Sequence, residues 1–188
     1  MPELVATPGQ TIGPFFGYAL PYPDDRELVP FGSAGSVRLH GYVHDGEGCG
    51  VCDALLEIRQ ADASGAVPVV PGSLHRGGAA FTGWGRSSTD ADGHYWFSTL
   101  EPGAARPGSA PFFAVAVFAR GVLNRLFTRI YLPAGPATLG TDSLLVALDP
   151  GERDAMVAVR EADASLRFDI HLQGPRETPF LTFPGHRR

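Results

Sequence analysis

The chain has 188 residues, of which 44% are hydrophobic and 19% are charged, and its formal net charge is -5. That length and composition predict a folded domain with its own hydrophobic core and exclude a disordered chain. The acidic balance argues against nucleic-acid binding, and no apolar run is long enough to cross a membrane. The N-terminus lacks the basic and apolar regions of a secretory signal, so we expect a cytoplasmic protein with reduced thiols.

The predicted elements are mostly short strands. Gly (24 residues) and Pro (17) are spread along the chain and divide it into short segments, which is typical of all-β domains. Alternating apolar side chains predict strands at 37–43, 54–60, 94–99, 112–119, 126–132, 155–160 and 166–172. One short helix is predicted at 142–148, with Thr141 or Asp142 as its N-cap. The fold class is therefore an all-β sandwich of two packed sheets with at most one or two short helices.

We expect a single domain over residues 1–188, because no linker, repeat or low-complexity stretch interrupts it. Residues 1–36 are rich in Pro, Gly and aromatic residues but show no strand or helix period. A segment this dense in exposed aromatic groups needs a surface to cover it. It is predicted to be an N-terminal segment that packs against a partner.

Local motifs leave the chemistry open. The "CGVC" segment (49–52) has the spacing of a redox pair or of half a zinc site, but it follows a turn in a β context and has no second pair. Two loop thiols are the alternative interpretation. The six histidines are scattered and are interpreted as surface residues. No nucleophile elbow, P-loop or dinucleotide fingerprint is present.

Three collinear blocks, however, resemble the intradiol ring-cleavage dioxygenases. They are "LHGYVHDGEGCGVCDALLEIRQADASG" (39–65), "GWGRSSTDADGHYWFSTLEPG" (83–103) and "RLFTRIYLP" (125–133). The resemblance implies the β-sandwich fold of that family. It also accounts for Glu57 and Gln60, which are expected to be buried and to hold neighbouring loops by hydrogen bonds.

Catalytic members of the family hold a non-haem Fe(III) ion with two tyrosines and two histidines. By resemblance, those four positions are Val67, Ala105, Phe112 and Ala114 in this chain. None of these side chains has a lone pair to offer, and Fe(III) requires hard oxygen and nitrogen donors. The resemblance therefore implies that this chain binds no metal and has no catalytic residue when it is alone.

One branch of the family pairs a catalytic chain with a homologous chain that binds no iron. Segments 7–20, "TPGQTIGPFFGYAL", and 166–183, "LRFDIHLQGPRETPFLTF", resemble the ends of that iron-free chain. The implied partners are a homologous β subunit that carries Fe(III), the substrate 3,4-dihydroxybenzoate with O2, and further copies in a larger hetero-oligomer. The resemblance also implies a substrate-pocket wall shared with the β subunit and formed by Thr11, Gly13, Pro14 and Arg129.

Two alternatives remain at this point. The chain could be a non-enzymatic β-sandwich module that derives from the same family and only binds a small aromatic molecule or a partner. It could also be a self-contained dioxygenase whose metal ligands have moved, in which case the purified chain would hold iron.

Overall fold

A computed structural model describes residues 16–70 and 81–184. The strands are β1 (Ser36–His44), β2 (Leu55–Gln60), β3 (Trp84–Ser88), β4 (His94–Leu100), β5 (Phe112–Phe118), β6 (Leu126–Tyr131), β7 (Val159–Arg160), β8 (Leu166–Arg167) and β9 (Ile170–His171). The helices are α1 (Phe16–Ala19), α2 (Pro136–Leu139), α3 (Ser143–Ala147) and α4 (Pro150–Asp154). None of the helices in these ranges has the length and apolarity needed to cross a bilayer.

The strands form two sheets, which confirms the predicted β-sandwich. One sheet has the order β4-β1-β8-β7, with β9 also paired to β1, and the other has the order β3-β2-β5-β6. In the second sheet every neighbouring pair is antiparallel. Alternation along each strand sends one set of side chains into the core between the sheets and the other set to an outer face.

The core lies between the inner faces of the sheets. Leu39 and Val43 of β1 and Phe113 of β5 are fully buried there. Gly41 allows the close approach of the segment between β8 and β9, because a Cβ at this position would lie 1.9 Å from the Phe168 carbonyl oxygen. That carbonyl also accepts a hydrogen bond from the Tyr95 hydroxyl at 2.6 Å, so the backbone at Phe168 is held directly over β1.

The predicted strands at 37–43, 54–60, 94–99, 112–119 and 126–132 are confirmed within a residue or two. The predicted strand over 155–160 was only partly right, because the strand there, β7, covers only Val159–Arg160. A capping box of Asp149 and Glu152 starts α4, which uses the chain up to Asp154, and Val157 then makes only a single bridge to β6. The predicted strand 166–172 is divided into β8 and β9.

Helices are more numerous than predicted, since the described ranges contain four, each of four or five residues. The predicted helix at 142–148 is confirmed as α3, and its N-cap is Asp142 rather than Thr141. The other helices are single turns in connections, too short for an apolar period to mark them in the sequence.

The later part of the N-terminal segment packs on the domain itself. Leu28 is buried in the core, and its backbone N–H donates to the Ser98 carbonyl oxygen at 2.8 Å. Asp25 is also buried, and its backbone carbonyl accepts from Arg86 N–H. Tyr18, which lies earlier in the segment, is in contrast 86% exposed. A partner-packing role for residues 1–36 thus stays a prediction that concerns the part before about residue 20.

Candidate functional site

Two adjoining cavities lie on the outer face of the β3-β2-β5-β6 sheet. The first, of about 170 Å³, lies beside the start of β5 and is called the loop cavity. The second, of about 450 Å³, extends across the sheet and is called the sheet cavity. Arg59, Phe112 and Ala114 line both cavities, so the two form one continuous depression.

The loop cavity brings together the four positions that the resemblance assigned to metal ligands. Phe112 and Ala114 come from β5, Val67 comes from the loop after β2, and Ala105 comes from the loop after β4. They are distant in sequence and line the same small space. The remaining lining residues are Arg59, Gln60, Ala61 and Gly103.

The alternation of β5 sets the orientation of two of these residues. Phe113, Val115 and Val117 are buried in the core, so Phe112 and Ala114 face outward. An apolar ring and a methyl group on this outer face are unusual for a solvent-exposed sheet surface, where polar side chains are the rule.

A turn after β2 holds the two loops together. One carboxylate oxygen of Asp62 accepts hydrogen bonds from the Ser64 hydroxyl at 2.6 Å and from the backbone N–H groups of Ser64 and Ala66. The Ser64 hydroxyl bond is the main reason that the pKa of Asp62 is lowered. The backbone carbonyl of Asp62 accepts from Gly103 N–H at 2.8 Å, which ties the loop of Val67 to the loop of Ala105.

The loop cavity has no chemistry suited to a metal ion. Val67, Ala105, Phe112 and Ala114 present only carbon and hydrogen atoms, and the walls are almost wholly apolar. Within residues 16–70 and 81–184, no group of three or more His, Cys, Asp or Glu side chains is arranged to hold a metal. Fe(III), the metal that the fold family implies, does not fit these residues.

Arg129 is on the outer face of β6 and lines the sheet cavity. Its guanidinium carbon lies 4.1 Å from the centroid of the Phe112 ring, and its Nη1 donates to the Tyr131 hydroxyl oxygen at 3.0 Å. Among the residues that the structure describes, Arg129 forms no ion pair. The side chain is half-buried and lines the cavity. Its charge therefore faces the cavity, and none of the described carboxylates pairs with it.

Positive charge predominates around the sheet cavity. Arg59 and Arg129 line it, and Glu57, the one lining carboxylate among the described residues, is paired with Arg86 at 2.6 Å. Arg86 also donates to the Leu20 carbonyl oxygen at 2.6 Å. A cavity with aromatic walls and an uncompensated guanidinium can bind a flat anion such as an aromatic carboxylate.

The predicted burial of Glu57 was only partly right. Gln60 is buried and accepts from the Thr99 hydroxyl at 2.5 Å, and its amide donates to the Leu100 carbonyl oxygen at 2.8 Å. Glu57 lies on the outer face and is half-buried, because it is three positions from Gln60 on an alternating strand and so faces the opposite side. It holds a neighbouring strand, through Arg86, rather than a loop.

Three of the predicted pocket residues, Thr11, Gly13 and Pro14, lie outside the described residues. The described chain begins near the sheet cavity: the Tyr22 ring stacks on Trp84, a residue of the cavity wall, with centroids 6.4 Å apart. Residues 1–15 therefore join the described chain only a few residues before this edge of the site.

The other candidate residues lie away from both cavities. Cys49 and Cys52 are exposed free thiols. The histidines are less scattered than the sequence indicated. His40 and His94 approach to 3.4 Å on the sheet of β1 and β4, and His40 also contacts the Glu161 carboxylate at 2.8 Å. Burial is the largest contribution that lowers the pKa of His94.

Sequence reasoning missed the wall of the sheet cavity and the partners of Arg129. Trp84 belongs to β3, which was not predicted, and Tyr131 was taken only as part of a strand motif. The spacing of Arg129 and Tyr131, two residues apart on one strand, could have placed both side chains on the same face.

The comparisons with known proteins agree with this geometry. The chain is 35% identical over 197 residues to the protocatechuate 3,4-dioxygenase alpha chain of Burkholderia cepacia, with 96% of this chain and 99% of that chain covered. It is 30% identical over 165 residues to the beta chain of the enzyme from the same organism, with 76% and 66% covered. No protein-family model matches the chain.

A solved structure gives the same result for the fold. The dioxygenase domain of a dioxygenase carbohydrate-binding protein fusion from Streptomyces sp. SirexAA-E is similar with a TM-score of 0.61 and 29% identity, over 89% of this chain and 98% of that one. The fold is thus that of an intradiol dioxygenase domain. Because 96% of the chain aligns with alpha chains of this enzyme at 34–35% identity, the chain belongs to the protocatechuate 3,4-dioxygenase alpha-chain family.

Proposed function

We propose that this chain is the iron-free alpha subunit of a cytoplasmic protocatechuate 3,4-dioxygenase, in which a homologous beta subunit carries Fe(III). The enzyme opens 3,4-dihydroxybenzoate with O2 to form 3-carboxy-cis,cis-muconate. The observation that carries this proposal is the loop cavity, where Val67, Ala105, Phe112 and Ala114 meet with hydrocarbon side chains only. An apolar cavity is expected where a metal site has lost its donors, and it supports a function that depends on a partner's metal.

The chain's own contribution is to bind and orient the substrate. The substrate is an anion, and the product carries three carboxylates, so a guanidinium is suited to a site where negative charge increases. Arg129 supplies that group from a half-buried position on the sheet. When bound in the partner, Fe(III) supplies the redox chemistry by which both atoms of O2 enter the product.

The N-terminal residues complete the proposed wall. Gly13 has no side chain, which allows the backbone to approach an aromatic ring, and Pro14 restricts the path of the chain beside it. Thr11 provides a hydroxyl that can donate one hydrogen bond and accept others. All three precede Tyr22 in the sequence, and the Tyr22 ring stacks on Trp84 at the edge of the sheet cavity.

The first test is metal content. Purified alone, the chain is expected to hold no stoichiometric iron and to show no ring-cleavage activity, because its four ligand positions offer no donors. Co-expression with the beta subunit should give a coloured, iron-containing and active complex. Elemental analysis and O2-uptake assays on the chain alone and on the complex measure both outcomes. Stoichiometric iron in the lone chain would instead support a dioxygenase with relocated ligands, and an inactive complex would support a binding module.

The second test is a deletion of residues 1–19, which leaves the contacts of Leu20 and Tyr22 with Arg86 and Trp84 in place. We expect association with the beta subunit to weaken on the order of tenfold or more, since aromatic residues are often the anchors of an interface. The melting temperature of the isolated chain should change little. Calorimetric titration of the two subunits measures the effect, and an unchanged affinity would contradict the proposed role of the segment.

A further inference from the structure

Arg129 is held by a buried chain of hydrogen bonds that begins outside the cavity. The Tyr131 hydroxyl accepts from Arg129 Nη1 at 3.0 Å and donates to Asp142 Oδ1 at 3.0 Å. Tyr131 is fully buried and Asp142 is 2% exposed. The side chains of Arg129 and Tyr131 lie on the same face because the two residues are two positions apart on β6.

The Asp142 carboxylate is a rigid end point for this chain of bonds. As the N-cap of α3, its Oδ1 accepts from the backbone N–H groups of Leu144 at 3.0 Å and Leu145 at 3.4 Å. Its Oδ2 accepts from Ala110 N–H at 3.1 Å. A buried carboxylate with this many donors is well satisfied and has little freedom to move.

The same carboxylate supports both contacts of the guanidinium. Through Tyr131 it reaches the Nη1 atom of Arg129. Through Ala110 it fixes the backbone two residues before Phe112, whose ring lies under the guanidinium at 4.1 Å. Helix α3 and the entry to β5 are thus connected to one side chain of the sheet cavity.

The protonation state of Tyr131 suits this arrangement. Burial raises the pKa of Tyr131 to about 12, so the phenol keeps its proton at neutral pH. A protonated phenol can donate to Asp142 and accept from Arg129 at the same time. Within the part of the chain that the structure describes, Arg129 donates this one hydrogen bond, which leaves four of the five N–H donors of its guanidinium for a ligand in the cavity.

We propose that Tyr131 and Asp142 are positioning residues, which hold the guanidinium of Arg129 in the orientation that binds the substrate carboxylate. The inference rests on the proposed function, in which the assembled enzyme binds 3,4-dihydroxybenzoate beside Arg129. An arginine that is fixed before binding loses less side-chain entropy when the carboxylate arrives. Preorganisation of this kind affects carboxylated ligands and leaves uncharged ligands unaffected.

The test is the Tyr131→Phe variant in the assembled complex with the beta subunit. Anaerobic titrations, followed by the visible absorption of the holoenzyme, give the dissociation constants of 3,4-dihydroxybenzoate and of catechol, which lacks the carboxylate. We expect the variant to bind 3,4-dihydroxybenzoate about 3- to 10-fold more weakly than the wild type, which corresponds to the loss of one hydrogen bond. Its affinity for catechol should equal that of the wild type. Equal weakening of both ligands, or no weakening of either, would overturn the inference.

A matched control is Tyr95→Phe, because Tyr95 is also fully buried and its hydroxyl bonds to the Phe168 carbonyl oxygen on the opposite side of the core. This variant should lower the melting temperature without changing the ratio of the two dissociation constants. A changed ratio in Tyr95→Phe would show that general loosening of the fold alters the ratio, and would count against positioning by Tyr131.

A double-mutant cycle separates the inference from the proposed function. If Tyr131 acts through Arg129, Tyr131→Phe should have no further effect on the ratio in an Arg129→Ala background. If Arg129→Ala leaves the ratio unchanged, the proposed role of Arg129 itself fails. If Arg129→Ala changes the ratio and Tyr131→Phe does not, only the positioning inference fails.

Discussion

The variant Val67→Tyr, Ala105→Tyr, Phe112→His and Ala114→His is expected to bind Fe(III) in the isolated chain. The four positions line one cavity, and the substitutions supply two phenolates and two imidazoles, which are suitable donors for this ion. Replacing Phe112 by a smaller ring also makes room for the two tyrosines. The expected change is from no bound iron to close to one equivalent per chain, with a visible phenolate-to-iron absorption band.

A matched variant isolates the contribution of the phenol oxygens. Val67→Phe and Ala105→Phe, combined with the same two histidines, have almost the same shape and lack only the two hydroxyl groups. This control should fold equally well and hold far less iron, with no visible band. Elemental analysis, absorption spectra and melting curves of both variants decide the matter. A quadruple variant that folds and binds no more iron than the control would contradict the assignment of these four positions as equivalents of the metal ligands.

The sequence could predict most strands because they alternate between a buried and an exposed face. Strand β3 shows where that signal fails. Its buried positions are occupied by Gly85 and Ser87 rather than by large apolar residues, so no hydrophobic period marks it. A Cβ at Gly85 would lie 2.3 Å from a methyl carbon of Leu28, so a larger residue there would force the buried Leu28 side chain to shift. This constraint comes from Leu28 of the N-terminal segment, which is distant from β3 in the sequence and therefore invisible to a local pattern.

The candidate site was less accessible to residue patterns than the fold. Val67 and Ala105 are in loops, and only resemblance to a family indicated that they lie together. The structure places them together through the Asp62 turn and its backbone bond to Gly103. The hydrogen bonds that hold Arg129 could not be predicted from the sequence. Asp142 lies eleven positions after Tyr131, and the connection between them contains helix α2. A hydrogen bond between buried side chains across such a connection leaves no periodic signal.

The second large effect is expected from Arg129→Ala in the assembled enzyme. The substitution should lower kcat/KM for 3,4-dihydroxybenzoate by roughly 1–3 kcal/mol, or about 5- to 150-fold, which is the range for losing a charge-assisted hydrogen bond. The loss should exceed that of an exposed ion pair, because the guanidinium is half-buried over Phe112 and has no carboxylate partner among the described residues. Steady-state kinetics at saturating O2 measure it.

Arg38→Ala provides the comparison, since it removes the same charge from a half-buried position on β1 in the opposite sheet. Both variants remove one positive charge and make the net charge of the chain more negative by the same amount, so a general electrostatic effect on an anionic substrate would appear in both. A specific carboxylate contact would appear only in Arg129→Ala, and Arg129→Lys should recover part of the activity as a charge without the planar fork. Iron content and subunit association should be unchanged in all three variants. Kinetics of Arg129→Ala equal to those of Arg38→Ala would mean that Arg129 is an ordinary surface residue of the sheet, whose stacking on Phe112 serves packing alone.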